Sequence, residues 1–295
     1  MSKHGKEHVA TACLAASLLF GLATAGLAQD LTGTLKKVRD TGTITIGHRE
    51  ASQPFSYLDS GKQPVGYAID LCLKVVDEIR ATLKKPDITV RYTMVTPQTR
   101  IPMVVDGSVD LECGSTTNTL ARQQQVDFSA TYFTTGTRLL TWKASKTREV
   151  EDLAGKTIAV VCGSTNDKAV KTLIDGGKPK EAKLLVVKDY AEGLAMLEAN
   201  KADAFATDDI VLYGLLAKAA KRNDLEVTGR FLTYDPYGIM IRRDDPDFRL
   251  VVSRALARAF RSGEAEKIHG KWFTPMSVPL SPLLKAAFEA QAIPE

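Results

Sequence analysis

"TITIGH" (Thr43–His48), "AIDLCLKVVDEIRATLKK" (Ala68–Lys85) and "DITVRYTMV" (Asp87–Val95) follow one another along the chain and decide its fold. The first alternates apolar and polar residues, as a half-buried strand does. The second sets Ile69, Leu73, Val76, Ile79 and Leu83 at helical spacing, and the third is again strand-like. Strand, helix and strand in that order imply a mainly parallel sheet with helices on its faces, which is the α/β class.

Working outward, "RIPMVVDG" reads as a short helix closed by Gly107 and "SVDLECG" as the next strand. From Lys156 the pattern restarts. "KTIAVVCG" is a buried-type strand, "STNDKAVKTLIDGG" a helix stopped by glycines, "AKLLVVKD" a strand, "YAEGLAMLEANK" a helix and "ADAFATDD" a strand. In both halves a helix turns (Asp106-Gly107-Ser108, Asn200-Lys201-Ala202) into a strand bearing an aspartate, Asp110 or Asp203. That repetition favours two α/β lobes over one long sheet. Two extended, β-rich connections, Thr131–Lys143 and Arg230–Arg243, flank the second half. The simplest topology has residues 29–137 begin lobe I, 138–236 form lobe II, and 237–295 return to lobe I with the amphipathic helix "DPDFRLVVSRALARAF". A two-strand hinge and a cleft between the lobes follow, with the cleft at the carboxyl ends of parallel strands, where ligands bind in open α/β sheets.

The N-terminus has its own composition. Lys3 and Lys6 precede an apolar run, Val9–Ala28, that ends in Gly26-Leu27-Ala28. Residues 1–28 therefore read as a cleaved secretory signal, and the rest as a soluble exported protein. The chain of 295 residues is 44% hydrophobic and carries a net charge of +4, which suits a packed globular protein and is too mild to suggest a nucleic-acid partner. Beyond the signal remain Cys72, Cys113 and Cys162. Their spacing is not metal-like, and no disulfide is expected, since Cys72 lies inside a helix while the other two close separate strands. Only His48 and His269 remain of the histidines, so no histidine-ligated metal is expected.

Four strand exits face the inferred cleft: His48-Arg49-Glu50, Gly114–Asn118, Gly163–Asn166 and Thr207-Asp208-Asp209. If Asn118 caps the helix that follows it, Arg122 lies near a first turn, where the macrodipole disfavours a cation by up to ~1 kcal/mol. An anionic ligand shared with the helix N–H groups would offset that cost. A solvated arginine or a pair with Asp127 accounts for it equally well. Ser164 and Thr165 can be a helix cap, Asp208 and Asp209 a cap or a solvated pair, and Arg49 an ion-pair partner of Glu50. Taken together at one cleft they describe a zwitterion site. There, an aspartate meets an ammonium, while hydroxyls, helix N–H groups and Arg122 meet a carboxylate. No G-x-S-x-G, H-E-x-x-H, G-x-x-x-x-G-K-[ST] or G-x-G-x-x-G pattern is present, so neither catalysis nor a cofactor is expected.

"GHREASQPFSYLDSGKQPVGYAIDLC", "TRIPMVVDGSVDLECGSTTNTLARQQQVDFSATYF", "GTRLL", the Thr207-Asp208-Asp209 exit and "SGEAEKIHGKWF" resemble the periplasmic glutamate/aspartate-binding proteins of polar amino-acid ABC importers, in solute-binding protein family 3. The resemblance implies a two-lobed, type II periplasmic-binding-protein fold that closes on its ligand and presents it to an inner-membrane ABC permease. It implies a periplasmic monomer. It further implies that Arg122, Thr117 and Thr165 bind the α-carboxylate, that Asp208 binds the ammonium, and that Arg49, Arg100 and Ser115 receive a side-chain carboxylate. Two positions depart from the family pattern: Pro97 stands where a serine is expected and Tyr190 where a histidine is. A hydrogen bond to a charged group is worth roughly 1.5 to 3 kcal/mol, so each departure bears on the choice between L-glutamate or L-aspartate and the amides glutamine and asparagine. The rival of another class is a dehydratase-type enzyme on this fold, with Glu50 or Asp208 as acid and Cys113 as the group to watch. It is disfavoured because no side chain of the inferred cleft has an evident proton-transfer partner.

Overall fold

Ile44 and Ile46 are fully buried on the strand Thr43–His48, whose near-complete burial is that of a parallel strand covered on both faces. The computed structural model describes residues 31–295. In it this strand is second in a five-stranded sheet that runs Thr89–Met94, Thr43–His48, Leu111–Glu112, Met240–Arg242, Val126–Phe128. The first two pairings are parallel, with Thr43 opposite Thr89 and Ile46 opposite Leu111. Met240 enters antiparallel, between Glu112 and Phe128.

The helix Tyr67–Leu83 covers this sheet with Ile69, Cys72, Val76 and Ile79 buried. Leu73 and Leu83 are only half-buried, because the inner face is centred on Cys72 and Val76 and the helix also packs against Pro246–Arg261. That second helix buries Glu78, which Arg258 meets at 2.7 Å.

The second sheet repeats the plan in the order Lys183–Val187, Thr157–Val161, Ala204–Asp208, Thr137–Trp142, Leu225–Thr228. Ile158, Val160, Val170, Ala204 and Ala206 form its core. The two aspartates of the repeated unit do the same work in each sheet. Asp110 Oδ2 accepts from Thr45 N–H at 2.8 Å and its own N–H donates to Thr45 O. Asp203 Oδ2 accepts from Thr157 N–H at 2.8 Å and its N–H donates to Thr157 O. Each locks the second strand of its sheet, in the order given, to the third.

Two strands join the halves. Phe133–Thr135 and Asp235–Tyr237 pair antiparallel, with Thr135 opposite Asp235. Gly136 follows, and a Cβ there would stand 2.1 Å from Thr233 O, so only glycine lets the two connections pass this closely.

The structure corrects the cysteine reading. Cys72 and Cys113 are fully buried and form a disulfide, with Cα atoms 6.3 Å apart; Cys162 is free. Sequence spacing hid the pair because the bridge spans two elements: Cys72 faces inward from the helix, directly over the point where Cys113 leaves its strand. The signal sequence inferred for 1–28 lies outside the described residues. Among the described residues no helix is long and apolar enough to cross a membrane.

Candidate functional site

Each strand exit brings its polar residues to the space between the sheets. On the lobe I side the exit after Leu111–Glu112 carries Ser115, Thr116 and Thr117, all buried. The helix after it is Leu120–Gln123 and its cap is Thr119, whose hydroxyl accepts from Arg122 N–H at 3.2 Å. The cap is thus one residue later than the Asn118 inferred from sequence. The Arg122 guanidinium does not pair with Asp127, which is met instead by Arg249 at 3.5 Å. Nη1 of Arg122 donates to Thr117 O at 2.8 Å, and Nη2 reaches Gly163 O on the other lobe at 3.4 Å.

Arg100 opens the helix Arg100–Val105 and is 2% exposed. Its Nη1 donates to Thr116 Oγ1 at 2.6 Å, and Thr116 donates in turn to Glu112 Oε2 at 2.6 Å. The hydroxyl's direction is fixed, since a guanidinium only donates and a carboxylate only accepts. Burial, reinforced by the neighbouring Arg122 charge, pushes the Arg100 pKa down to about 9. Arg100 Nε, Arg49 Nη1 and Glu112 Oε1 are buried without a hydrogen-bond partner among the described residues. Arg49 is itself buried, with its guanidinium carbon 5.4 Å from the centre of the Tyr190 ring. Gly114 makes room for both neighbours: a Cβ there would lie 2.6 Å from Glu112 Oε1 and 2.9 Å from Arg49 Cγ.

Lobe II supplies two helix N-termini and an acid. Ser164 caps the helix Thr165–Asp175 and Asp189 caps Tyr190–Glu198. Thr165 Oγ1 stands 3.4 Å from Thr117 Oγ1 across the cleft, and Tyr190 Oη 3.2 Å from Ser115 Oγ, which also accepts from Ser52 at 2.7 Å. Asp208 precedes the helix Asp209–Leu216 without capping it through its side chain. Its carboxylate accepts from Asn166 Nδ2 at 2.8 Å and from the Tyr237 hydroxyl. Burial, with the nearby Asp235 carboxylate, raises its pKa to about 7. Asp235, 1% exposed, accepts from Thr117 at 2.9 Å.

Arg49, Arg100, Ser115, Thr117, Arg122, Thr165, Tyr190 and Asp208 therefore meet at one cleft. Glu112, Thr116, Asn166, Asp235 and Tyr237 join them; Thr116 and Asn166 lie in strand exits read from the sequence but were assigned no role there, and Glu112, Asp235 and Tyr237 were passed over. Their only signal was adjacency to a strand exit or hinge, which composition does not separate from ordinary caps. Cys113 lies under the cleft as half of a disulfide, so it offers no thiol to the rival enzymatic reading.

Two α/β sheets, paired hinge strands and polar groups converging from both carboxyl edges define a hinged receptor for a small polar molecule. Residues 44–275 match the bacterial extracellular solute-binding proteins, family 3, and the chain belongs to that family. It is 45% identical over 269 residues to the L-glutamate/L-aspartate-binding protein of Pseudomonas aeruginosa, covering 90% of this chain and 88% of that one. It is 39% identical to the glutamate/aspartate import solute-binding protein of Escherichia coli, covering 95% of each. Among solved structures, the ancestral amino acid-binding protein AncCDT-1, a precursor of cyclohexadienyl dehydratase, superposes with a TM-score of 0.70 at 30% identity, covering 82% of this chain and all of that one (100%).

Proposed function

We infer that the protein captures L-glutamate or L-aspartate and hands it, unchanged, to the membrane subunits of an ABC importer. Arg49 Nη1 and Arg100 Nε carry this reading: they are buried guanidinium donors without hydrogen-bond partners among the described residues. A neutral ligand would leave two buried cations uncompensated, at a cost of several kcal/mol. A side-chain carboxylate satisfies them together with Ser115. The α-carboxylate goes to Arg122, Thr117, Thr165 and the N–H groups of the Thr165–Asp175 helix, and the ammonium to Asp208. The names of the Pseudomonas and Escherichia relatives support the same ligand class.

In this reading residues 29–137 with 237–295 and residues 138–236 close as two bodies about Gly136 and the Asp235–Tyr237 strand. The protein works as a monomer in the periplasm, exported by residues 1–28, without metal, cofactor or chemistry of its own. The test is titration calorimetry of ligand-stripped protein against L-glutamate, L-aspartate, L-glutamine and L-asparagine, with the ligand recovered and identified afterwards. Binding confined to the acids, lost for every ligand in Arg122→Ala, is expected. Preference for the amides, or a recovered ligand that has changed, overturns the reading.

A further inference from the structure

The helix Asp209–Leu216 starts at the hinge, where Asp209 N–H donates to Gly136 O at 3.0 Å. Gly214 lies further along it, roughly 8 Å out at 1.5 Å per residue, and rests on the hairpin formed by Ala51–Ser52 and Ser56–Leu58 in lobe I. A Cβ at Gly214 would stand 2.5 Å from Gln53 O and 2.9 Å from its carbonyl carbon, so the two backbones touch there. Just past the helix, Lys218 reaches over the same hairpin, its Nζ 4.5 Å from the centre of the Tyr57 ring. In the amide orientation that pairs both ends of Gln53, its Oε1 accepts from Lys218 Nζ at 2.9 Å and its Nε2 donates to Ala51 O at 3.2 Å.

The hairpin is a rigid seat. Phe55, at its turn, is fully buried, with ring centres 4.9 Å from Phe133 and 5.1 Å from Tyr237 on the hinge strands. Tyr57 stands edge to face against Trp272, whose Nε1 donates to Asp70 Oδ2 at 2.7 Å. The hairpin also borders the cleft, since Ala51 walls a cavity together with Asp189 and Tyr190 of lobe II. A contact on that side forms as the lobes close and parts as they open. Lys218 is exposed, so in the open protein its ammonium returns to water at no cost.

Resting on the two-body closure inferred above, we propose that Gly214 and Lys218 latch lobe II onto Gln53 and Tyr57 of lobe I and so set the rate at which ligand is released. None of the four touches the ligand in the arrangement described. They act as positioning residues for the closed state, and a group that stabilises only that state multiplies the affinity of every ligand that closes the protein by one factor. Glycine weakens a helix relative to alanine; at position 214 the close approach of the Gln53 backbone is the compensating gain.

The experiment measures Kd by calorimetry and koff by displacement of labelled ligand with excess unlabelled ligand, beside urea unfolding of the ligand-free protein. Lys218→Met is expected to raise Kd roughly five- to tenfold, by the same factor for L-aspartate and L-glutamate, through koff alone and with the ligand-free unfolding midpoint unchanged. Lys218→Arg keeps a cation over the Tyr57 ring and is expected to stay within about threefold of wild type. Gly214→Ala stops the lobes short of full closure and is expected to raise koff about tenfold or more, while the ligand-free midpoint holds or rises. A Lys218→Met koff equal to that of wild type overturns the inference, as does a factor that differs between the two ligands. So does a Gly214→Ala variant that loses ligand-free stability and keeps its koff. The rates are read with whichever amino acid the wild type binds, so a wrong ligand class shows in which titration gives heat, and a failed latch shows in koff.

Discussion

Thr116→Val tests the relay that runs from Arg100 through Thr116 to Glu112. Valine keeps the shape of threonine and removes the hydroxyl that accepts from Arg100 Nη1 at 2.6 Å and donates to Glu112 Oε2 at 2.6 Å. Both charged partners are 2% exposed or less, so water cannot replace the lost bonds. Arg100 Nε and Glu112 Oε1 already lack partners, so the variant leaves each charged group a further atom short. At about 1.5 kcal/mol or more for each bond to a charged group, the unfolding free energy should fall by about 3 kcal/mol. For a domain of this size the thermal midpoint falls by roughly 6–12 °C. Thr116→Ser, which keeps the hydroxyl and loses a methyl, should stay within about 1 kcal/mol of wild type. Urea unfolding of the ligand-free protein, read by circular dichroism, measures both. A Thr116→Val midpoint equal to that of wild type would show that the relay carries no energy. A serine variant as damaged as the valine would trace the loss to packing.

Asp208 has a pKa raised to about 7 in the ligand-free protein, and a bound ammonium should lower it. Ligand affinity should therefore be flat above neutrality and fall about tenfold per pH unit below it, down to the bound-state pKa, with proton release detected by calorimetry in buffers of different ionisation heat. Replacing Cys72 and Cys113 together by alanine opens a loop whose ends are 41 residues apart, so denaturant unfolding should show a loss of about 4 kcal/mol. Gly136→Ala forces a Cβ to 2.1 Å from Thr233 O; overpacking of about 1–3 kcal/mol should appear in stability, and affinities for all ligands should drop by one common factor because the hinge, not the pocket, has moved.

What was legible in the sequence was periodicity and its restart. Strand, helix and strand, repeated from Lys156 with an aspartate at the same place, gave two α/β units before any contact was known. Asp110 and Asp203 show why such a signal survives: each does the same job in its own unit, bonding to the backbone of the neighbouring parallel strand, so the pattern occurs twice. The disulfide and the relay were illegible for the opposite reason. Cys72 and Cys113, or Arg100 and Thr116, are joined only by how a helix lies over a sheet edge, and nothing in their neighbours along the chain distinguishes them. Arg122 stands between these cases. Its place near a helix start was readable, but Asp127 as its partner was not excluded until Arg249 was seen to take that position.

Charge explains why the two lobes should close on a ligand rather than on each other. Away from the hinge, hydrogen bonds across the cleft include Thr117 to Thr165 at 3.4 Å, Ser115 to Tyr190 at 3.2 Å and Arg122 to Gly163 O at 3.4 Å; nearer the hinge Thr135 meets Asp209 at 2.6 Å and the Tyr237 hydroxyl meets Asp208. The long hydroxyl–hydroxyl bonds contribute about 1 kcal/mol each. Against them stand Arg49, Arg100, Glu112 and Asp208, buried with atoms unpaired or with a proton held against burial, at several kcal/mol for an uncompensated ion. Closure of the unliganded protein is therefore opposed by the same groups that make it selective. An acidic amino acid brings two carboxylates and an ammonium to those groups, and its differential affinity for the closed state shifts the equilibrium. An amide of the same shape touches both lobes yet leaves Arg49 and Arg100 unpaired, so it should bind weakly and leave the protein more open. Small-angle scattering with saturating L-glutamine beside L-aspartate distinguishes the two, and equal compaction by both would show that shape, rather than charge, closes the cleft.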